Sequence, residues 1–252
     1  MIGDEYGAIT LRLVDAGLSG IRVHQDLATG RRALERNAGA LGMCEIADES
    51  ARDRRAGAQH ADPASIDPPL RAAFMPCELD ASLLRGARLV LLQLPKALAE
   101  LEEIADAVAR WAAPDVTLIA GGRVKHMTLA QNEVLGRHFG TVQPQRAEQK
   151  SRLLVATEVL PVPEEPPFPV FDTVDAPGLG PLTLAAHGAA FAGARLDIGT
   201  RVLLEALSRE TESLRSLSER SETKRGDSPH EPHHVSSRSP SASSRGDRGR
   251  SP

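Results

Sequence analysis

Aromatic residues are scarce in this chain: they make up 3% of its 252 residues, with one Trp and one Tyr. A core must therefore be built from Ala, Leu, Val and Ile. Cysteine is nearly missing as well. Cys44 and Cys77 are too few for a disulfide framework or a zinc site and read as two unrelated reduced thiols. No apolar run approaches the roughly 20 residues that a membrane span needs. The N-terminal MIGDEYG is acidic and lacks the apolar stretch of a signal peptide. Together these absences lead us to expect a cytoplasmic protein with no membrane partner. No Ser/His/Asp set, Cys/His pair or metal-ligand spacing stands out. His230, His233 and His234 lie in a Ser- and Arg-rich stretch and read as compositional. The net charge of −4 says little about partners, because the two ends differ sharply in composition.

What is present is organised around Arg88 to Met127, RLVLLQLPKALAELEEIADAVARWAAPDVTLIAGGRVKHM. Leu89 to Leu94 is a nearly continuous apolar run, as in a strand buried on both faces. Pro95 stops it and suits the first turn of a helix. Leu98, Leu101, Ala105, Val108 and Ala112 then recur at helical spacing, with Glu100, Glu102, Glu103 and Asp106 mostly on the other face. Val116 to Ala120 is a second buried strand. Such a strand–helix–strand unit joins parallel strands by a right-handed crossover, so the core is an α/β parallel sheet.

Before this unit, Ala8 to Ala16 reads as a short helix closed by Gly17 and Ile21 to His24 as a strand. Thr29 to Leu41 is a helix closed by Gly42. A doubly wound sheet would have a strand before Gly3, and that strand is mostly missing, so we expect the coding start to lie inside the domain. Asp48 to Pro69 is polar, with three prolines, and reads as an exposed loop. Met75 to Leu79 is a strand candidate, with Asp80 to Arg85 the approach to the central unit. After it, Thr128 to Phe139 reads as a helix and Lys150 to Thr157 as a strand at the far side of the sheet. Val159 to Pro169 is a Pro- and Glu-rich linker. Two strand candidates follow, Val170 to Val174 and Leu182 to Ala185, then a helix ending near Leu207. From Glu210 to Pro252 the chain has almost nothing to bury and is expected to be disordered. Its Arg and Ser suggest either an RNA-binding tail or an out-of-frame stretch without a selected role.

In a parallel sheet, chemistry sits beyond the carboxyl ends of the strands. Four loops qualify. Gly3 to Ala8 has only two glycines, with Glu5 and Tyr6 between them, which makes a poor cradle for a nucleotide-type cofactor. Asp26 ends the second strand, where an acid can hold a ribose or simply face solvent. Gln93-Leu94-Pro95-Lys96 stands where amino-methyltransferases carry an Asn/Asp-Pro-Pro-aromatic grip, but Lys96 replaces the ring. The fourth loop is Gly121-Gly122-Arg123-Val124-Lys125-His126. With Lys96, Lys150 and Arg152, its Arg123 and Lys125 offer a basic rim for phosphates. His126 reads as structural.

These runs resemble a known family. LVLLQLPKALAELEE, APDVTLIAGGRVKHM and KSRLLVAT, with GDEYGAITLRL before them, are similar to the N-terminal domain of the bacterial ribosomal RNA guanine-N2 methyltransferases. FAGARLDIGTRVLLEAL resembles the segment that leads into their C-terminal domain. The resemblance implies a Rossmann-like class I methyltransferase-type sheet, incomplete at its N-terminus, followed by a short β-rich fragment. It also implies residues 1–158 as a degenerate, non-catalytic copy, 159–169 as linker, 170–209 as the start of a truncated C-terminal domain and 210–252 as tail. It implies S-adenosylmethionine (SAM) as the family's cofactor, bound beside Asp197, Gly199 and Thr200 in an intact member. After Leu207 neither catalytic motif of the family appears, so this chain is expected to bind no cofactor and to be inactive alone. Ribosomal RNA is the expected partner and a monomer the expected state. Two other readings stay open: a stand-alone RNA-binding module, and a nucleotide-dependent dehydrogenase suggested by sheet type and Asp26.

Overall fold

The protein is described by a computed structural model covering residues 1–46 and 71–226. The elements run α1 (Ala8–Asp15), β1 (Ile21–Val23), α2 (Ala28–Ala40), β2 (Met43–Glu45), β3 (Arg71–Pro76), α3 (Ala81–Leu84), β4 (Leu89–Gln93), α4 (Leu98–Trp111) and β5 (Thr117–Arg123). After a 3-10 turn at Val124–His126 come α5 (Leu129–Leu135), β6 (Phe139–Pro144), β7 (Ser151–Val159), β8 (Val170–Ala176), β9 (Gly180–Ala186) and α6 (Ile198–Gly226). The chain forms two compact units. One is Met1–Ala176 with Gly180–Asp197; the other is Pro177–Leu179 with the chain from Ile198.

The fold is α/β, as expected. β1 and β2 flank β3 in parallel, and β4 lies parallel to β5. β7 is antiparallel to both β5 and β6. One residue joins the two sheets. Ile2 donates to the Leu91 carbonyl at 2.9 Å and accepts from the Gln93 N–H at 3.0 Å. On its other side His24 N–H donates to Met1 O at 2.9 Å, and Gly3 N–H to His24 O at 3.1 Å. Ile2 is thus a parallel bridge to both His24 and Leu92. The strand order becomes β2-β3-β1-Ile2-β4-β5-β7-β6, with a two-residue stub in the central place. The Ile2 side chain is 2% exposed in the larger core.

That core joins Val90, Leu92, Leu118, Ala120, Leu154 and Ala156 of the sheet to α3, α4 and α5. A second core packs α1 and α2 on β1 and β3 through Leu11, Val14, Leu34 and Phe74. β4 is not buried on both faces: Val90 and Leu92 are enclosed, whereas Leu89 is 55% exposed. All three helices of the larger core lie on the Val90–Leu92 side, so the other face of β4, β5 and β7 is only half covered. β7 is not at the far side of the sheet either. The strand β6, of which only Phe139 was read from sequence, as a helix end, pairs outside it. Pro95 lies in the loop before α4, not in its first turn. The short strand β2 carried no alternation that would reveal it.

The acids of α4 are not a solvated face. Asp106 is 3% exposed and takes a two-pronged hydrogen bond from Arg110 at 3.0 Å and 3.0 Å. Arg110 also donates to the carbonyls of Pro163 and Glu164, which straps residues 163–164 onto the helix. Glu102 binds His138 at 2.8 Å and Arg137 at 2.6 Å. Glu103 meets the His187 ring and accepts from Gly188 N–H at 2.7 Å. A Cβ at Gly188 would stand 2.3 Å from the Ala99 carbonyl, so only glycine fits there. A later layer of chain covers this side of α4, and the helix pattern alone gave no sign of it. The same burial, with Asp26 and Glu103 nearby, pushes the Glu100 carboxyl above its ordinary value.

The expectation of disorder from Glu210 starts too early, because α6 continues to Gly226. Residues 227–252 and the expected loop at Asp48 to Pro69 lie outside the described residues. Among the described residues no helix is long and apolar enough to cross a membrane.

Two outcomes follow from the stub. Ile2→Ala should lower stability by about 2–4 kcal/mol in urea unfolding; a loss below about 0.5 kcal/mol would show that the stub does not hold the sheet. The Met1 amine, which donates to the Arg22 carbonyl at 2.7 Å, is held by burial and by the Arg22 charge at about 6, below the usual 8.0. Between those values the unfolded chain binds a proton that the folded chain does not. Stability should therefore be fullest above pH 8 and decline as the pH falls toward 6.

Candidate nucleic-acid interface

The turn after the stub is closed on itself. Gly3 and Gly7 have φ of 78° and 77°, a backbone conformation that favours glycine. The Asp4 carboxylate, in a residue 3% exposed, accepts from the N–H groups of Ile9 at 3.0 Å and Thr10 at 2.7 Å. It satisfies donors that the start of α1 would otherwise leave open to an anion. A Cβ at Gly7 would lie 2.3 Å from Leu34 Cδ1. The glycine makes room for a core leucine, not for a ligand. Asp4 escaped the sequence reading, although an acid just ahead of a helix is a recognisable signal. Tyr6 and Glu5 are exposed.

Asp26 is exposed at the end of β1, close enough to Glu100 to raise that carboxyl. A cleft of about 500 Å³ opens beside the ends of β1 and β3, lined by Val23, Gln25, Arg31, Leu34, Phe74 and Glu78 among others. His24 Nδ1 lies 3.0 Å from the Cys77 carbonyl, and burial raises the Cys77 thiol, so this pair is no nucleophile and base.

The ends of β4, β5 and β7 gather the predicted cations. Leu94 N–H donates to Gly121 O at 2.9 Å, bringing the Gln93–Lys96 loop against β5. In the β5–β7 ladder Gly122 stands opposite Arg152 and Arg123 opposite Ser151. Val124 N–H donates to Lys150 O at 3.0 Å and ties the turn bearing Lys125 to the start of β7. Arg123, Lys125, Lys150 and Arg152 thus share neighbouring strand ends, about 5 Å apart in the sheet direction, and Lys96 is in the loop after β4, the next strand over. Lys96, Arg123, Lys125 and Lys150 are exposed and Arg152 is partly buried. None of the five is in an ion pair among the described residues, whereas Arg110 and Arg137 are. His126 is exposed and packs in neither core. The two glycines of this loop serve packing. A Cβ at Gly121 would sit 3.0 Å from Leu153, and one at Gly122 3.2 Å from Leu94.

Asp197 immediately precedes α6, and Gly199 and Thr200 lie in its first turn. Cys44 and Cys77 form no disulfide and are partly buried.

Residues 68–159 match the family model described as the RLMG N-terminal domain. Among curated proteins, the chain is similar to the ribosomal RNA large subunit methyltransferase G of Pseudomonas paraeruginosa (strain PA7), with 37% identity over 127 residues, 50% of this chain and 33% of the relative. It is also similar to the protein of that name from Pseudomonas putida (strain GB-1), at 38% identity over 125 residues, 48% of this chain and 32% of the relative. The chain thus spans about a third of the length of the curated relatives it matches. Among solved structures, the T. thermophilus 16S rRNA N2 methyltransferase RsmC, in complex with AdoMet and guanosine, aligns at TM-score 0.46 and 18% identity, over 82% of this chain and 53% of that one. The resemblance read from the sequence is therefore met by a ribosomal RNA methyltransferase domain model and by relatives of that name.

Asp4→Ala should lower stability by about 1–2 kcal/mol through loss of the α1 donors' partner, measured by thermal or urea unfolding. Unchanged stability would mean that the turn is not held from within.

Proposed function

We propose that this chain is the non-catalytic, RNA-binding portion of a SAM-dependent ribosomal RNA methyltransferase that acts on a guanine exocyclic amine. The observation that carries this reading is a contrast at one edge of the sheet. The turn that would face a cofactor is filled by the chain's own Asp4 and Leu34, while the neighbouring strand ends and loop hold five cations that have no ion-pair partner among the described residues. Phosphate contacts of this kind fix position and orientation on RNA without reading sequence. Methylation at a guanine edge would further need a base drawn out of its stack and gripped by polar groups. Gln93-Leu94-Pro95-Lys96 offers no ring for that grip.

In this reading residues 1–158 are the degenerate methyltransferase-like copy, 159–169 the linker and 170–209 the opening of a C-terminal catalytic domain, with 210–252 as tail. Asp197, Gly199 and Thr200 would lie beside SAM in an intact protein and hold none in this chain. The protein works in the cytoplasm as a monomer with ribosomal RNA as partner. A dehydrogenase is disfavoured, because the Gly3–Gly7 turn leaves no backbone cradle for a dinucleotide.

The test is binding of the full chain to a ribosomal RNA fragment across salt concentrations. Five phosphate contacts predict a log–log slope of roughly −3.5 to −4.5, and Arg123→Ala with Lys125→Ala should reduce its magnitude by about 1.5. A slope near zero, or one unmoved by the double substitution, would exclude this surface. Methyl transfer from radiolabelled SAM should be absent; turnover by the purified chain would overturn the non-catalytic reading.

A further inference from the structure

The tip of the β6–β7 hairpin is built against ordinary backbone preference. Gln149 and Lys150 form its two-residue turn, closed by Glu148 N–H to Ser151 O at 2.9 Å and Ser151 N–H to Glu148 O at 2.8 Å. Both turn residues are left-handed, with φ of 47° and 65°. Two positive φ values in a two-residue hairpin are the pattern that Asn-Gly fills at low cost. A bulky side chain in that region is disfavoured, and such strain concentrates where a site needs the geometry. Both side chains are exposed and enter neither hydrophobic core, so packing gives no reason for Gln and Lys here.

A second observation lies two residues on. Arg152 Nε is one of three buried side-chain polar atoms among the described residues that have no hydrogen-bond partner. The enclosed Nε is out of reach of a ligand from solvent, but Arg152 as a residue is partly exposed, and no other atom of its guanidinium is among these enclosed ones. Arg152 is in no ion pair among the described residues, so its charge is open to an anion. A guanidinium binds phosphate through paired N–H donors, which a lysine cannot copy.

We infer that the hairpin tip is a phosphate clamp of the RNA-binding surface, in which the exposed Lys150 of the strained turn and Arg152, through the terminal N–H groups of its guanidinium, grip one backbone phosphate of the RNA. This rests on the RNA-binding reading above and assigns that surface its anchoring point. The strained turn trades stability for a fixed cation. Val124 N–H, bonded to the Lys150 carbonyl, couples the clamp to the turn that carries Lys125.

The experiment measures melting temperature and RNA affinity together on the full 252-residue chain. Lys150→Gly relieves the strain and removes the charge. It should raise the melting temperature by a few degrees, weaken binding about threefold to tenfold at 0.1 M salt and reduce the salt slope by about 0.7. Gln149→Asn relieves strain and keeps the charge, so it should raise the melting temperature and leave binding as it was. Arg152→Gln should weaken binding about tenfold, and Arg152→Lys should not restore it. Inorganic phosphate at millimolar concentration should compete with the RNA for the unmodified chain more than for Arg152→Gln. A Lys150→Gly chain that is more stable yet binds RNA unchanged would overturn the clamp, as would one that gains no stability. If Arg123→Ala with Lys125→Ala weakens binding while Lys150→Gly and Arg152→Gln do not, the clamp fails and the RNA-binding reading stands. If none of the four substitutions weakens binding, both fail.

Discussion

The backbone of residues 1–3, centred on Ile2, joins a parallel sheet and a mixed sheet into one. The Ile2 N–H and C=O are both used on β4, while Met1 and Gly3 exchange bonds with His24 on β1. Without those four hydrogen bonds β1, β2 and β3 would end at an open edge facing another open edge. Exposed strand edges are aggregation hazards, and closing them matters more than the few residues involved suggest. Everything discussed at the carboxyl end of the sheet depends on this junction, because it sets the Gly3–Gly7 turn beside the Gln93–Lys96 loop. Gly3 and Gln93 are in close contact there: a Cβ on Gly3 would stand 3.3 Å from the Gln93 carbonyl.

At that edge the chain uses its polar groups in two opposite ways. Asp4 is spent internally, its oxygen saturated by the N–H groups that open α1. Glu102 and Glu103 of α4 are used likewise, each fastening a later segment, and Asp106 holds the Arg110 that does so. Lys96, Arg123, Lys125 and Lys150 are in no ion pair among the described residues. The Gly3–Gly7 turn is filled by the chain's own side chains and not left open to a ligand. The free cations remain as the part that looks outward.

The strand–helix–strand unit was readable because its apolar spacing follows one period at a time: Leu89 to Leu94 as strand, Leu101, Ala105 and Val108 as helix. The basic rim was readable for a related reason. Residues that follow parallel strands meet at one edge, which places Lys96, Arg123 and Lys125 together; Lys150 and Arg152 join them because β7 runs antiparallel to β5, so its start lies at the same edge. What could not be read were features set by contacts distant in sequence. Glu103 looked like a surface acid because its partners His187 and Gly188 belong to another part of the chain; Asp106 did because its partner Arg110 is drawn in by residues 163–164, equally distant in sequence. The edge strand β6 was hidden by Phe139, whose burial suits a helix end and a strand start alike. The left-handed pair Gln149–Lys150 was invisible, since nothing in those residue types announces a positive φ.

The most direct test is amide hydrogen exchange of the full chain with and without a ribosomal RNA fragment. RNA should slow exchange at residues 94–96, 122–126 and 149–152 and leave Gly3 to Tyr6 unchanged. Protection confined to the Gly3–Tyr6 turn and the end of β1, with the basic strand ends unaffected, would contradict an RNA-binding basic edge.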